Sequence, residues 1–126
     1  MSSFTDPLII IDEGGEDFTL AERFRYRVGG LNSNEIVDVP KGFRTNFASV
    51  PRIFWNIIPP DGKHGKAAVV HDYLYSTHGL FGRYSRQRCD EIFLEAMEVL
   101  GVGAIKRNIM FRAVRWFGKS AWDKCL

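Results

Sequence analysis

This chain of 126 residues has little cysteine and no long apolar run, and each scarcity excludes a class of protein. Cys89 and Cys125 form no CxxC motif. A disulfide between them is possible, but two free thiols in a reducing compartment are the favoured interpretation. The longest apolar runs, PLIII and AAVV, are far shorter than the roughly 20 residues of a membrane-spanning helix. The amino-terminal MSSFTDP has no basic segment followed by an apolar one, so we expect no signal peptide.

Neither sign of charge is in large excess, since the net charge is only +2. However, the acidic and basic residues are unevenly distributed along the chain. Residues 1–39 hold eight acidic and three basic residues, whereas residues 103–126 hold six basic residues and one aspartate. A solvated face of a terminal helix explains the basic end. The alternative is a surface for an acidic partner, such as the acidic third of a second copy. The sequence contains no convincing nucleic-acid-binding motif.

Two stretches in the first third alternate apolar and polar residues with the period of a half-buried strand. FTLAERFRYRV places Phe24, Tyr26 and Val28 on one face opposite three arginines, and EIVDVP alternates before Pro40. The turn cluster GGLNSN lies between them, and the apolar run PLIII precedes them. Together they predict a small antiparallel sheet or hairpin between about residues 7 and 39.

The remainder of the chain predicts helices. Ser49 can cap a first helix that ends at the proline pair beginning at Pro59. A second helix is expected from about Lys66 to Thr77. Ser85 can cap a third helix, which runs to Leu100 and ends at GVG.

A fourth predicted helix runs from about Ala104 to Phe117 and carries its apolar side chains near one side. These side chains are Ile105, Ile109, Ala113, Val114 and Trp116. We therefore predict one α+β domain over residues 1–126. Its small amino-terminal antiparallel sheet packs on about four helices, between about residues 49 and 122.

A histidine–aspartate pair, His71 and Asp72, stands in the apolar stretch AAVVHDYLYSTHG of the second helix. In the third helix, Asp90 shares its face with apolar residues at helical spacing. An unpaired carboxylate there would cost about 3–5 kcal/mol, so Asp90 needs a partner. The short loop HGLFGRY favours an antiparallel helix pair. That geometry brings Asp90 to a ring nitrogen of His71.

Such a pair has a catalytic and a structural interpretation. A carboxylate that fixes the tautomer of a histidine makes a general base, and such a histidine should line an open cleft. Asp72 lies about 100° further round the helix and could hold a hard cation such as Ca²⁺ with carbonyls of the loop PPDGKHG. Alternatively, the His71–Asp90 bond only holds two helices together. Zinc is disfavoured, because His64 precedes the helix that carries His71 and His78.

A second polar cluster lies in VPKGFRTNFASVPRIFW. Turn and capping roles explain Asn46 and Ser49. Arg52 follows them beside aromatic residues and could present its guanidinium to an anionic ligand. These three residues are the candidate ligand-binding set. The sequence has no serine nucleophile elbow and no phosphate-cradling glycine loop.

The run VPKGFRTNFASVPRIFW, followed by AAVVHDYLY and CDEIFLEAM, resembles the phage and prophage family called domain of unknown function 1353. The likeness covers roughly residues 18–122. The family usually has aspartate where this chain has Asn46, which argues against a catalytic or metal-binding role there. The resemblance implies a small bacteriophage protein in the virion or the host bacterial cytoplasm. Its expected partners are phage structural proteins or further copies of itself.

The pair HDYLY and CDEIF is also similar to the antiparallel helices of secreted phospholipases that cleave at the sn-2 position. That likeness implies that His71 is the base, Asp72 a calcium ligand and Asp90 the residue that orients His71. Tyr75 would support the network. The disulfide framework of those enzymes is missing, and no glycine-rich calcium loop stands out.

Two functional hypotheses follow from these resemblances. The first is a non-catalytic tail, baseplate or other virion component, or a host-interaction factor, in which the His71–Asp90 bond only holds the helices. The second is a calcium-assisted hydrolase of a lipid or cell-envelope ester or amide.

Overall fold

Five short strands precede five helical segments in the computed structural model, which describes residues 4, 6–12, 18–29, 34–45 and 65–124. The strands are β1 (Ile10–Asp12), β2 (Phe18–Leu20), β3 (Phe24–Arg27), β4 (Ile36–Val39) and β5 (Arg44–Thr45). The helical segments are α1 (Gly65–Ser76), α2 (His78–Gly82), α3 (Arg86–Val99), α4 (Ala104–Phe117) and α5 (Lys119–Lys124). The predicted α+β class is confirmed. The helix predicted from Ser49, and the candidate ligand-binding residues Asn46, Ser49 and Arg52, lie outside the described residues.

The strands form two small antiparallel sheets. One has the order β1-β2-β5, and the other is the hairpin β3-β4, in which Tyr26 lies opposite Val37. The stretch predicted as one alternating strand is therefore divided between the sheets. The division follows from backbone pairing: Leu20 donates to the carbonyl of Phe43 (2.9 Å), whereas β3 pairs with β4.

The buried face of the hairpin packs with the helices in one hydrophobic core. Phe24, Tyr26 and Val28 are buried, as the alternation predicts. The Tyr26 hydroxyl donates to the carboxylate of Glu95, which also accepts from the backbone N–H of Gly29 (2.8 Å). These bonds join the hairpin to α3.

Helix bounds follow local sequence signals closely. The Ser85 hydroxyl accepts from the backbone N–H of Arg88 (3.1 Å) and caps α3 as predicted. Helix α4 spans the predicted residues Ala104–Phe117. None of the helices in the described part of the chain combines the length and the apolar character that a bilayer crossing requires.

Only part of the apolar side predicted for α4 faces the core. Of its five residues, Ala113 and Val114 are buried, whereas Ile105 and Trp116 are exposed. Met110, which the prediction left out, is also buried. At about 100° per residue, Met110 and Val114 lie on the side opposite Ile105 and Trp116. The helix is thus apolar on both sides, and its hydrophobic pattern alone does not select the buried one.

The loop between α1 and α3 contains a left-handed turn. Gly79, Leu80 and Phe81 in α2 have φ angles of 70°, 57° and 62°. The Thr77 hydroxyl accepts from the backbone N–H of Leu80 (3.1 Å), and Tyr84 N–H donates to the carbonyl of Gly79 (2.8 Å). The turn reverses the chain, so α1 and α3 pack as the predicted helix pair.

Candidate functional site

The carboxylate of Asp90 is the centre of a buried polar cluster. Its Oδ1 lies 2.7 Å from Nε2 of His71 and accepts a hydrogen bond from the Tyr75 hydroxyl (2.6 Å). Its Oδ2 accepts from Nη1 of Arg115 (2.7 Å). The predicted contact between Asp90 and His71 is therefore present, and the cluster joins α1, α3 and α4.

Arg86 ties this cluster to the end of α4. Its guanidinium lies 3.7 Å from Oδ2 of Asp90, one helical turn away. It also donates to the carbonyls of Val114 (3.1 Å) and Arg115 (3.2 Å) and to the Tyr75 hydroxyl (3.3 Å). The Val114 carbonyl also accepts from the backbone N–H of Gly118 (2.9 Å), so Arg86 adds side-chain hydrogen bonds to the last turn of α4.

The electrostatics of the cluster keep Asp90 ionised. Burial alone would raise the pKa of Asp90, but hydrogen bonds from His71, Tyr75 and Arg115 outweigh it and hold that pKa below its usual value. Burial and the hydrogen bond to Asp90 raise the pKa of Tyr75, so its hydroxyl stays a donor. Because an ionised carboxylate only accepts, Nε2 of His71 carries the hydrogen that it shares with Oδ1.

The ring of His71 is enclosed. It lies against Tyr75 and Phe93, with ring centroids 4.3 Å and 4.6 Å away, and none of its surface is exposed. A cavity of about 510 Å³ lies beside α2 and is lined by residues that include His78 and Trp122, but not by His71. The ring of His71 therefore has no solvent-exposed surface, and it lines neither of the two cavities found among the described residues.

The side chain of Asp72 contacts a different part of the fold from the side chain of His71. Its carboxylate accepts a hydrogen bond from the hydroxyl of Thr45 in β5, so it faces the strand rather than α3. No group of three histidine, cysteine, aspartate or glutamate side chains suited to a metal ion occurs among the described residues. Ca²⁺ needs 6–8 oxygen ligands, of which Asp72 is one candidate. Residues 59–64 of the loop PPDGKHG, whose carbonyls were predicted to complete the site, lie outside the described residues.

Comparison with known proteins identifies a family. Residues 18–114 match the profile of the family described as "Protein of unknown function (DUF1353)". This chain belongs to that family. An "Uncharacterized protein y4jT" of Sinorhizobium fredii is 35% identical over 82 residues, which are 64% of this chain and 23% of that protein. The chain thus spans less than a quarter of this relative's length, and no solved structure matches it.

The DUF1353 match contains His71, Tyr75 and Asp90 but ends one residue before Arg115. Sequence reasoning missed Arg115, because the basic residues of α4 suggested a solvated face. It also missed Arg86, although the spacing of four residues from Asp90 is a signal for an ion pair within a helix. No local pattern indicates Arg115, because its contact spans 25 residues of the chain.

The lowered pKa of Asp90 predicts how stability depends on pH. The ionised carboxylate stabilises the folded DUF1353 chain above the pKa of the unfolded state, near 3.8, and this stabilisation is lost as pH falls through the lower folded value. Asp90→Asn removes the titration. We therefore expect the difference in unfolding free energy between the wild type and this variant to be largest near neutral pH and to shrink below about pH 4. Urea denaturation at several pH values measures it, and a difference that is independent of pH would contradict the assignment.

Proposed function

We propose that this protein is a non-catalytic phage protein, either a virion component such as a tail or baseplate part or a host-interaction factor. In this proposal the His71–Asp90 bond holds α1 and α3 together. The observation that supports it most is the complete burial of both side chains.

The second candidate function is a hydrolase in which His71 is the general base and Asp90 orients it. The contact between His71 Nε2 and Asp90 Oδ1 (2.7 Å), with the Tyr75 hydroxyl on the same oxygen, favours this candidate. Because Asp90 occupies Nε2, Nδ1 is the ring atom that takes a proton from water in the hydrolase.

The roles of the neighbours in the hydrolase follow from their contacts. Water transfers a proton to His71 Nδ1 as its oxygen bonds to the substrate carbonyl, and the imidazolium returns the proton to the leaving group. Asp90 stabilises that imidazolium and stays ionised because Arg115 holds its other oxygen. Tyr75 is a positioning residue, since its hydroxyl contacts Asp90. The proposed substrate is an ester or amide of a lipid or cell-envelope component, the class that the phospholipase-like helix pair suggests.

The enclosure of His71 adds a requirement to the hydrolase candidate. Water and substrate reach a ring with no exposed surface only after its cover opens. Asp90 occupies the Nε2 side, so the opening must expose Nδ1. The catalytic state of the hydrolase is thus a minor, open conformation.

Activity assays with a matched histidine control test the hydrolase candidate. Chromogenic esters of graded acyl length and phospholipid vesicles are the substrates. The hydrolase candidate predicts hydrolysis by the wild type and a loss of about 100-fold or more for His71→Gln. His78→Gln is the control, because His78 bonds to the carbonyl of Trp122 (2.6 Å) rather than to Asp90. Activity that survives in His71→Gln, or no activity toward any substrate, would contradict the hydrolase candidate, whereas hydrolysis that is lost only in His71→Gln would contradict the non-catalytic proposal.

The non-catalytic proposal assigns the cluster a structural role, because breaking a buried pair such as His71–Asp90 strongly destabilises a fold. Two measurements separate the candidates. Diethyl pyrocarbonate should modify His71 in the native hydrolase, but only after unfolding in the structural protein. Mass spectrometry of purified virions detects the virion component directly.

A further inference from the structure

The solvent side of α4 carries an apolar stripe formed by Ile105, Ile109 and Trp116. Their exposed fractions are 79%, 39% and 81%. They recur at helical spacing on the side opposite the core, and at 1.5 Å per residue the stripe is about 16 Å long. Phe117, 61% exposed, extends it at the carboxyl end of α4. An exposed contiguous apolar patch of this kind indicates an interaction surface.

The charges around this stripe have one sign. Helix α4 contains four basic residues and no acidic one. Arg115 is bound to Asp90, and Arg107 donates to the carbonyl of Val102 (3.0 Å), so these two point back into the fold. Lys106 and Arg112 are exposed. Arg112 also lines a shallow hollow of about 320 Å³ beside Trp116. At about 100° per residue, Arg112 lies within the stripe, between Ile109 and Trp116 along the helix, and Lys106 lies at its edge, so the exposed charges of the stripe are positive.

A second copy that docks through the same stripe fits it poorly, and docking through the acidic third of a second copy is an outcome that the experiment below separates. In a two-fold symmetric dimer the same patch lies on both sides, so the charges of Lys106 and Arg112 would meet like charges. The shape also disfavours a partner that inserts into a groove. Ile105 and Trp116 are about four-fifths exposed, so they protrude from the surface.

We infer that α4 is a docking surface for an anionic lipid bilayer. A helix that exposes tryptophan and aliphatic side chains together with lysine and arginine lies in the plane of the membrane interface, with the long basic side chains reaching the headgroups. Trp116 and Ile105 enter the boundary between headgroups and acyl chains, while Lys106 and Arg112 contact anionic headgroups. This inference does not require His71 to be catalytic.

Vesicle sedimentation with the full chain tests the inference without any turnover. The probes are vesicles of equal parts phosphatidylglycerol and phosphatidylcholine, and vesicles of phosphatidylcholine alone. We expect much stronger partitioning onto the anionic vesicles. Trp116→Ala should weaken it about tenfold. Substitution of Lys106 and Arg112 by glutamine should weaken it about fivefold for each charge. Added salt should weaken the wild type and have little effect on the variant that lacks both charges.

The matched controls are substitutions of the same kind at positions outside the stripe. Ile11→Ala removes a half-exposed isoleucine from β1, and Lys41→Gln removes an exposed charge. Both variants should bind the vesicles like the wild type. Equal binding to the two vesicle types, or unchanged binding by Trp116→Ala, would overturn the inference. Two further results would overturn it if the protein did not bind the vesicles. A dimer that Trp116→Ala dissociates would mean that the stripe binds a second copy. Binding to polyglutamate would mean that it binds an acidic protein.

Discussion

Replacing Asp90 with alanine should lower the free energy of unfolding by about 3–5 kcal/mol. The substitution leaves the buried ring of His71 and the Tyr75 hydroxyl without their shared acceptor. It also leaves the guanidinium of Arg115 without its carboxylate. Each stranded donor keeps its desolvation cost and loses its hydrogen bond. Urea denaturation at neutral pH, followed by circular dichroism, measures the change.

Asp38→Ala is the matched control for this experiment. Asp38 accepts from Arg23 at 2.9 Å, but it lies on the surface with 45% of its side chain exposed. Removing an exposed ion pair of this kind costs about 1 kcal/mol or less. If the two aspartates had similar small effects, the cluster around Asp90 would not be the polar centre of the fold.

The second large effect is expected at Gly79. A Cβ atom at this position would lie 1.9 Å from the carbonyl oxygen of Tyr84, which is main chain and cannot rotate away. The φ of +70° adds strain for any L side chain. We expect Gly79→Ala to cost about 3 kcal/mol or more, because it opens the loop that sets the pairing of α1 and α3. Thermal and urea unfolding of the variant measure this loss.

Gly82→Ala separates the clash from the backbone strain. Gly82 has a φ of +95°, but its added Cβ would meet nothing within 4 Å. Strain alone should therefore cost about 1–2 kcal/mol. Equal losses in the two variants would mean that the close approach to Tyr84 contributes nothing.

Local signals in the sequence predicted most of the helical part. The bounds of α3 and α4 follow from the Ser85 cap, the glycines after α3 and the helical period. The contact between His71 and Asp90 follows from two helix faces and a short loop, since a buried carboxylate demands a partner. Both arguments use only residues that are close in sequence or lie in consecutive helices.

Features that depend on distant residues escaped prediction. Strand β5 pairs with β2 across 25 residues or more, so nothing near Arg44 indicates it. The core-facing side of α4 is set by α3, against which it packs, and not by the apolar pattern of α4. The left-handed turn includes Leu80 and Phe81, residue types that give no local signal for positive φ.

The cluster around Asp90 also links the packing of α1 against α3 to the docking of α4 during folding. His71 and Tyr75 reach Asp90 across 19 and 15 residues, but Arg115 approaches it from 25 residues beyond. A helix pair of α1 and α3 that buried Asp90 before α4 docked would leave its second oxygen with Arg86 at 3.7 Å but without the closer bond from Arg115 (2.7 Å). We therefore expect the burial of Asp90 and the docking of α4 to stabilise each other. A chain cut at residue 114, where the family match ends, loses the group that completes the cluster.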